Sequence, residues 1–190
     1  MMRFVSHGGF TLVEALLAGV ALAVAIAAIL GAYIGQITLN EHSRNLSLAA
    51  QDANRVMEQL RLQNSPCAGT SPSASVPAAT GVGTCTAPIT SWNDWLQRCG
   101  GGKSVQPNPT VNELITLTCQ NRAGTVTPCP ANENPIRATV AVCWRHRNRT
   151  IGECTWNGAN LVADENVVVA ADTPNVIDSP VMLTTLVTCR

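Results

Sequence analysis

Hydrophobic positions in this chain obey two rules, with the change near residue 40. From Phe10 to Leu30 the only charged residue is Glu14, and the apolar run continues to Leu39. As a helix, Phe10 to Leu30 would span about 31 Å, enough for the hydrocarbon core of a bilayer. Only a helix satisfies the backbone of such a segment in lipid. Beyond Asn40 the pattern becomes one-sided. Leu46, Ala49, Ala50, Ala53, Met57 and Leu60 recur at helical spacing, while Arg44, Gln51, Asp52, Arg55, Glu58 and Arg61 occupy much of the remainder. No proline precedes Asn64, so one helix of about 80 Å is predicted from Phe10 to Gln63. It should stop before Asn64-Ser65-Pro66, because the residue ahead of a proline avoids the helical region. The apolar stripe of its second half predicts packing against a globular domain.

After the helix the pattern shortens. Ser65 to Pro88 is rich in Ser, Thr, Ala, Gly and Pro and reads as loop, tethered by Cys67 and Cys85. Ser91 to Cys99 reads as a short helix with Ser91 as cap, Asp94 at capping-box spacing and Gly100-Gly101-Gly102 as terminator. Trp92, Trp95, Leu96 and Cys99 share its core face. Alternation predicts strands at Glu113 to Cys119, Ile136 to Trp144 and Val181 to Cys189. In the second of these, Ile136, Ala138, Val140, Val142 and Trp144 face one way, and Arg137, Thr139, Ala141 and Cys143 the other. Ile151 to Trp156 is expected to pair with it across a turn near Arg147-Asn148-Arg149. Leu161 to Ala171 is apolar without a clear period. The fold class is α+β: a long N-terminal helix packed on a small antiparallel sheet.

Composition changes the picture in one respect. All eight cysteines (Cys67, Cys85, Cys99, Cys119, Cys129, Cys143, Cys154 and Cys189) lie beyond Asn64. An even number confined to one side of an apolar segment points to disulfides in an oxidising compartment. Cys143 and Cys154 oppose each other in the expected hairpin, as do Cys119 and Cys129 around their own turn; the full connectivity stays open. No Cys-x-x-Cys pair is present, which argues against thiol-redox chemistry and zinc ribbons. Net charge is zero, so nothing suggests bulk attraction to nucleic acid.

Candidate chemistry is sparse. Arg145, His146, Arg147 and Arg149 form a basic turn that reads as a solvated hairpin tip, with DNA phosphates or anionic lipid as alternatives. Asp164, Glu165, Asp172, Asn175 and Asp178 offer oxygens for calcium but lack the EF-hand spacing, so no metal is expected. His7, His42 and His146 are far apart in sequence and make no evident triad. No nucleophile elbow, phosphate loop or His-Glu metal motif occurs. The expectation is a non-enzyme without cofactor.

The most specific stretch is Gly8-Gly9-Phe10-Thr11-Leu12-Val13-Glu14, ahead of the apolar run. The residues before it carry one fixed charge, Arg3, and no apolar core of their own, so the long apolar segment follows the glycines rather than preceding a cut. Glu14 costs roughly 2–3 kcal/mol near the end of a membrane helix unless it is paired or reaches water. This arrangement resembles the class III signal of type IV prepilins and type II secretion pseudopilins. The resemblance implies cleavage after Gly9 by a prepilin peptidase, N-methylation of Phe10, and pairing of Glu14 with the Phe10 amine of an adjacent subunit. The finer pattern is most similar to PilV-type minor pilins. It consists of Asn54-Arg55-Val56-Met57-Glu58 near the helix end, the Trp-bearing helix before its Gly-rich turn, Cys143-Trp144-Arg145, and Leu183 to Thr188. Many major pilins carry a helix-kinking proline that this chain lacks, which argues against a bulk subunit.

The organisation so implied is a leader at 1–9, a transmembrane and assembly half-helix at 10–39, an amphipathic half at 40–64, and a periplasmic domain at 65–190. The implied partners are the prepilin peptidase, other pilin subunits, the pilus assembly platform and the inner membrane. Gly19, Gly31 and Gly35 would permit close helix approach or local bending. A type II secretion pseudopilin and an anchored binding module that never polymerises are the competing readings.

Overall fold

The computed structural model describes residues 11–65, 72–77, 85–86, 88–105, 113–127, 133–146, 148–163 and 179–189. The predicted helix is α1, continuous from Leu12 to Gln63. It enters both of the compact units into which the chain divides, Met1–Arg44 and Asn45–Arg190. Within the first unit, residues 11–40 are exposed throughout. Within the second unit, the end of α1 meets a second helix and a set of short strands. These are α2 (Trp92–Arg98), β1 (Glu113–Gln120), β2 (Val126–Thr127), β3 (Ile136–His146), β4 (Arg149–Ile151), β5 (Cys154–Trp156), β6 (Leu161–Ala163) and β7 (Met182–Val187). The α+β layout is that expected from the sequence.

β3 organises the main sheet. β1 runs antiparallel along one edge, from Glu113 opposite Trp144 to Gln120 opposite Arg137. The other edge is shared: β7 covers Ile136 to Ala141, and β4 covers Trp144 to His146. Val142 lies in the gap between them. Its N–H donates to Val181 O (3.1 Å), and its carbonyl accepts from Ser179 Oγ (2.5 Å). A buried backbone pair is thus satisfied where neither strand reaches. β1 has an exposed stretch of edge beside Ile115. There Asn93 of α2 accepts from Ile115 N and donates to Ile115 O (2.9 and 3.0 Å), taking the place of a neighbouring strand.

The two faces of β3 separate as the alternation predicts. Ile136, Ala138, Val140, Val142 and Trp144 join one core with Ala49, Ala53, Val56, Met57 and Leu60 of α1. Ala141 and Cys143 join a smaller cluster with Cys154 and Leu161. Val56 belongs to the stripe of α1 although the periodicity count omits it. The Ser91 hydroxyl accepts from Asp94 N (3.1 Å), so the cap of α2 forms as expected. The Asp94 carboxylate, however, takes the Thr90 hydroxyl (2.7 Å) and does not close a capping box on Ser91 N. At the other end Gly102 N donates to Leu96 O (2.9 Å), and its φ of 88° suits a residue without Cβ.

Several expectations require correction. Ile151 to Trp156 is two strands, broken at Gly152, and only the first pairs with β3. Gly152 has φ 96°, and a Cβ there would lie 2.8 Å from Cys143 Sγ. The chain turns at this point because the Cys143–Cys154 disulfide occupies the space a straight strand would need. β5 then pairs with β6, which resolves the start of the Leu161 to Ala171 stretch as a strand. Cys143–Cys154 forms as predicted, with Cα atoms 6.3 Å apart. Cys85 bonds to Cys99 and so tethers the loop, as expected, to the end of α2. Cys119 and Cys189 each take part in a disulfide, while Cys67 and Cys129 lie outside the described residues. The terminal strand is shorter than predicted, and β2 falls on a stretch for which no strand is predicted.

The largest surprise is Asp52. Its place among the charged positions of α1 predicts exposure, yet it is fully buried. Oδ1 accepts from Arg55 Nη1 (3.1 Å) and Ser104 Oγ (2.7 Å), and Oδ2 accepts from Ser104 N (2.5 Å). Arg55 Nη1 also donates to Gly102 O (2.9 Å). The loop after α2 is thereby fastened to α1 by charge-assisted bonds. Beside it Lys103 donates to Glu113 O (2.7 Å). Burial pushes the Lys103 ammonium below the usual lysine range, against the opposing pull of Glu113, Asp94 and Asp52. Asp52→Ala leaves the Ser104 N–H and hydroxyl without their acceptor and removes the counter-charge of Arg55, which keeps its bond to Gly102 O. It should lower domain stability by about 2–3 kcal/mol in chemical denaturation. Removing the Cys143–Cys154 bridge by double Ala substitution should cost about 3 kcal/mol by the loop-entropy argument, read from the same transition.

Candidate functional site: the start of the long helix

Thr11 precedes the first helical residue, and Glu14 sits in the first turn. Glu14 N donates to Thr11 Oγ1 (3.3 Å). In return Thr11 N and Thr11 Oγ1 both donate to Glu14 Oε2 (3.3 and 3.2 Å). Ala15 N continues the ladder to Thr11 O (3.2 Å). This is a reciprocal capping box, which satisfies helix-start N–H groups that would otherwise be orphaned. The negative end of Glu14 also lies at the positive end of the helix dipole. The Thr-x-x-Glu spacing was legible in the sequence and supplies a partner for Glu14 within its own chain. Attention to membrane cost alone misses it.

The surface that follows is apolar and uncovered. Leu12, Leu16, Ile29, Ile34 and Leu39 are each well over half exposed. Nothing lies within 4 Å of a Cβ placed at Gly19, Gly31 or Gly35. The Thr38 hydroxyl donates to Ile34 O (3.1 Å), which hides a polar group on the helix itself. Among the described residues α1 is the one helix long and apolar enough to cross a membrane. A surface of this kind is stable in lipid or against other helices and costly in water.

Gly9 and Phe10, the residues assigned to cleavage and methylation, lie outside the described residues, as do His7 and the acidic positions considered for calcium. Among the described residues no group of three or more His, Cys, Asp or Glu could hold a metal ion. Of the basic turn, Arg145, His146 and Arg149 are described. Arg145 lies over the Trp156 ring of β5, 4.1 Å from its centroid. An aromatic partner distant in sequence thus supplies what inspection of the turn alone does not find. His146 Nδ1 is 3.4 Å from Asn45 Nδ2, and His42 is on α1, in the other unit. Trp92 and Trp95 pack edge to face, 5.5 Å apart and buried, as core rather than as a ligand platform.

No protein-family profile, curated protein or solved structure significantly matches the chain. Thr11→Ala removes the capping hydroxyl and should destabilise the helix start by about 1 kcal/mol. Faster amide exchange confined to residues 12–15 is the expected readout.

Proposed function

We propose that this protein is a membrane-anchored minor pilin that takes part in type IV pilus assembly, by priming the filament or joining its tip. The observation that carries this reading is the division of labour along α1. The helix starts with a carboxylate in a capping box, presents an uncovered apolar surface to Leu39, and ends as part of the core of a disulfide-linked domain. The Gly8-Gly9-Phe10 sequence ahead of it supplies the processing signal. In this mechanism the leader lies in the cytoplasm and the domain in the periplasm. A prepilin peptidase cuts after Gly9, and Phe10 is N-methylated. The helix holds the subunit in the inner membrane until it enters a bundle of like helices. Glu14 of one subunit then meets the Phe10 amine of another. That pairing offsets a charge otherwise stranded among apolar side chains. Packing of the apolar helices provides the remaining cohesion.

Mass spectrometry of the purified protein's N-terminus should find N-methylated Phe10; an intact Met1 would sink this reading. Loss of pili on deletion supports a pilus subunit, whereas loss of exoprotein release would reassign it to a secretion filament. Glu14→Gln separates the two roles of the carboxylate, because glutamine also closes a capping box. The variant should insert and remain helical by circular dichroism. Its incorporation into filaments should nevertheless fall by about a hundredfold or more, as expected for breaking a buried charge pair.

A further inference from the structure

The outer edge of β7 carries unused hydrogen-bonding groups. β7 pairs with β3, and among the described residues no strand lies on its other side. The register puts Ala141 opposite Met182, and one step further Val142 N donates to Val181 O (3.1 Å). In an antiparallel ladder the direction of the backbone groups alternates from residue to residue. Leu183, Thr185 and Val187 therefore direct theirs at β3, whereas Met182, Thr184 and Leu186 direct theirs away from it. The Thr139 and Thr184 hydroxyls lie 3.0 Å apart, as suits the closer, unbonded kind of pair. The three residues with outward groups also have exposed side chains, Leu186 at 63% and Met182 at 44%.

Sheets ordinarily guard such an edge with charge, proline, a bulge or a cover. β1 has its cover in Asn93, which bonds to Ile115. Val181 to Cys189 contains no charged residue and no proline, and no bulge interrupts the register of β7 with β3. What fits this edge is an extended, uncharged strand, and the order of residues along it selects a second copy. With a two-fold axis at Thr184, Thr184 faces its own counterpart and Met182 faces Leu186 in both directions. Each facing pair then exchanges two backbone bonds. Apolar side chains meet apolar ones, threonine meets threonine, and no like charges oppose each other. A slip by one residue sets outward groups against inward ones and forfeits the ladder. In the same register the exposed Pro180 of the second copy arrives opposite Thr188. A groove of about 410 Å³ lies there, lined by Arg61, Asn64, Ser65, Leu186, Val187 and Thr188.

We infer that β7 is a strand-addition interface for a second copy of this chain, with antiparallel β7–β7 pairing centred on Thr184. The main sheet of one subunit thereby continues into that of the other. Every residue concerned belongs to the Asn45–Arg190 unit, so the contact depends neither on the apolar helix nor on the pilus role. With six residues in the strand, it is far smaller than an obligate interface and forms reversibly.

The test is residue-resolved amide exchange of the full chain in detergent micelles, from dilute to concentrated protein. At dilution the Met182, Thr184 and Leu186 amides should exchange fast and those of Leu183, Thr185 and Val187 slowly. Raising the concentration should slow the first three several-fold and leave the others unchanged. Slow exchange of all six amides at dilution overturns the proposal, because the edge is then covered within one chain. Association through the apolar helix alone leaves the outward amides fast at every concentration and overturns it too. Thr184→Pro removes an outward N–H, which an edge strand tolerates, and should abolish the concentration effect at Met182 and Leu186. A second measurement is independent of that variant. Facing Cα atoms in a bonded pair lie about 5.5 Å apart, within disulfide reach. Thr184→Cys should therefore cross-link to itself, whereas Met182→Cys and Leu186→Cys should cross-link only when mixed. Equal cross-linking of each variant alone, or none in any, overturns the pairing.

Discussion

One helix carries two kinds of surface, and the rest of the structure follows from that constraint. Its first half is uncovered and largely apolar, and the helix satisfies its backbone internally. Its second half must present a stripe to a sheet and polar groups to water. Residues 40–45 mark the change, and no proline or π-type interruption divides the helix there. The capping box at Thr11 and Glu14 supplies acceptors for two N–H groups at the start of α1. It also gives a carboxylate beside an apolar run hydrogen-bond partners within its own chain.

In the globular unit the corresponding charge problem is solved by burial with partners. Asp52 binds the loop after α2 at Ser104, beside Gly100 to Gly102, which have no side chains to pack. Arg55 completes the clasp from one turn further along the same helix. The disulfides act elsewhere: Cys85–Cys99 on the Trp-bearing helix and Cys143–Cys154 across the junction of β3 with the small second sheet. Aliphatic packing of Leu60, Val56, Ile136 and Val140 fills the space between helix and sheet. Charge clasps and covalent links add to that core at the loops.

Local sequence signals determined the extent of α1, the two faces of β3 and the existence of α2: the proline-free run that ends at Pro66, the alternation from Ile136 to Trp144, and the Ser91 cap with its glycine terminator. The Thr-x-x-Glu cap was equally local, since both partners lie within one turn. The burial of Asp52, the break at Gly152, the Cys85–Cys99 pairing and the stacking of Arg145 on Trp156 were decided only by tertiary structure. Each joins residues whose sequence separation carries no pattern. Charge on a helix face predicts solvent until a distant Ser104 arrives to bind it, and a glycine in a strand predicts nothing until a sulfur occupies the space its side chain would have filled. The sequence therefore set the two helices and the main strands β1, β3 and β7, and the apolar faces of α1 and β3. The meeting of those segments settled which polar groups became structural.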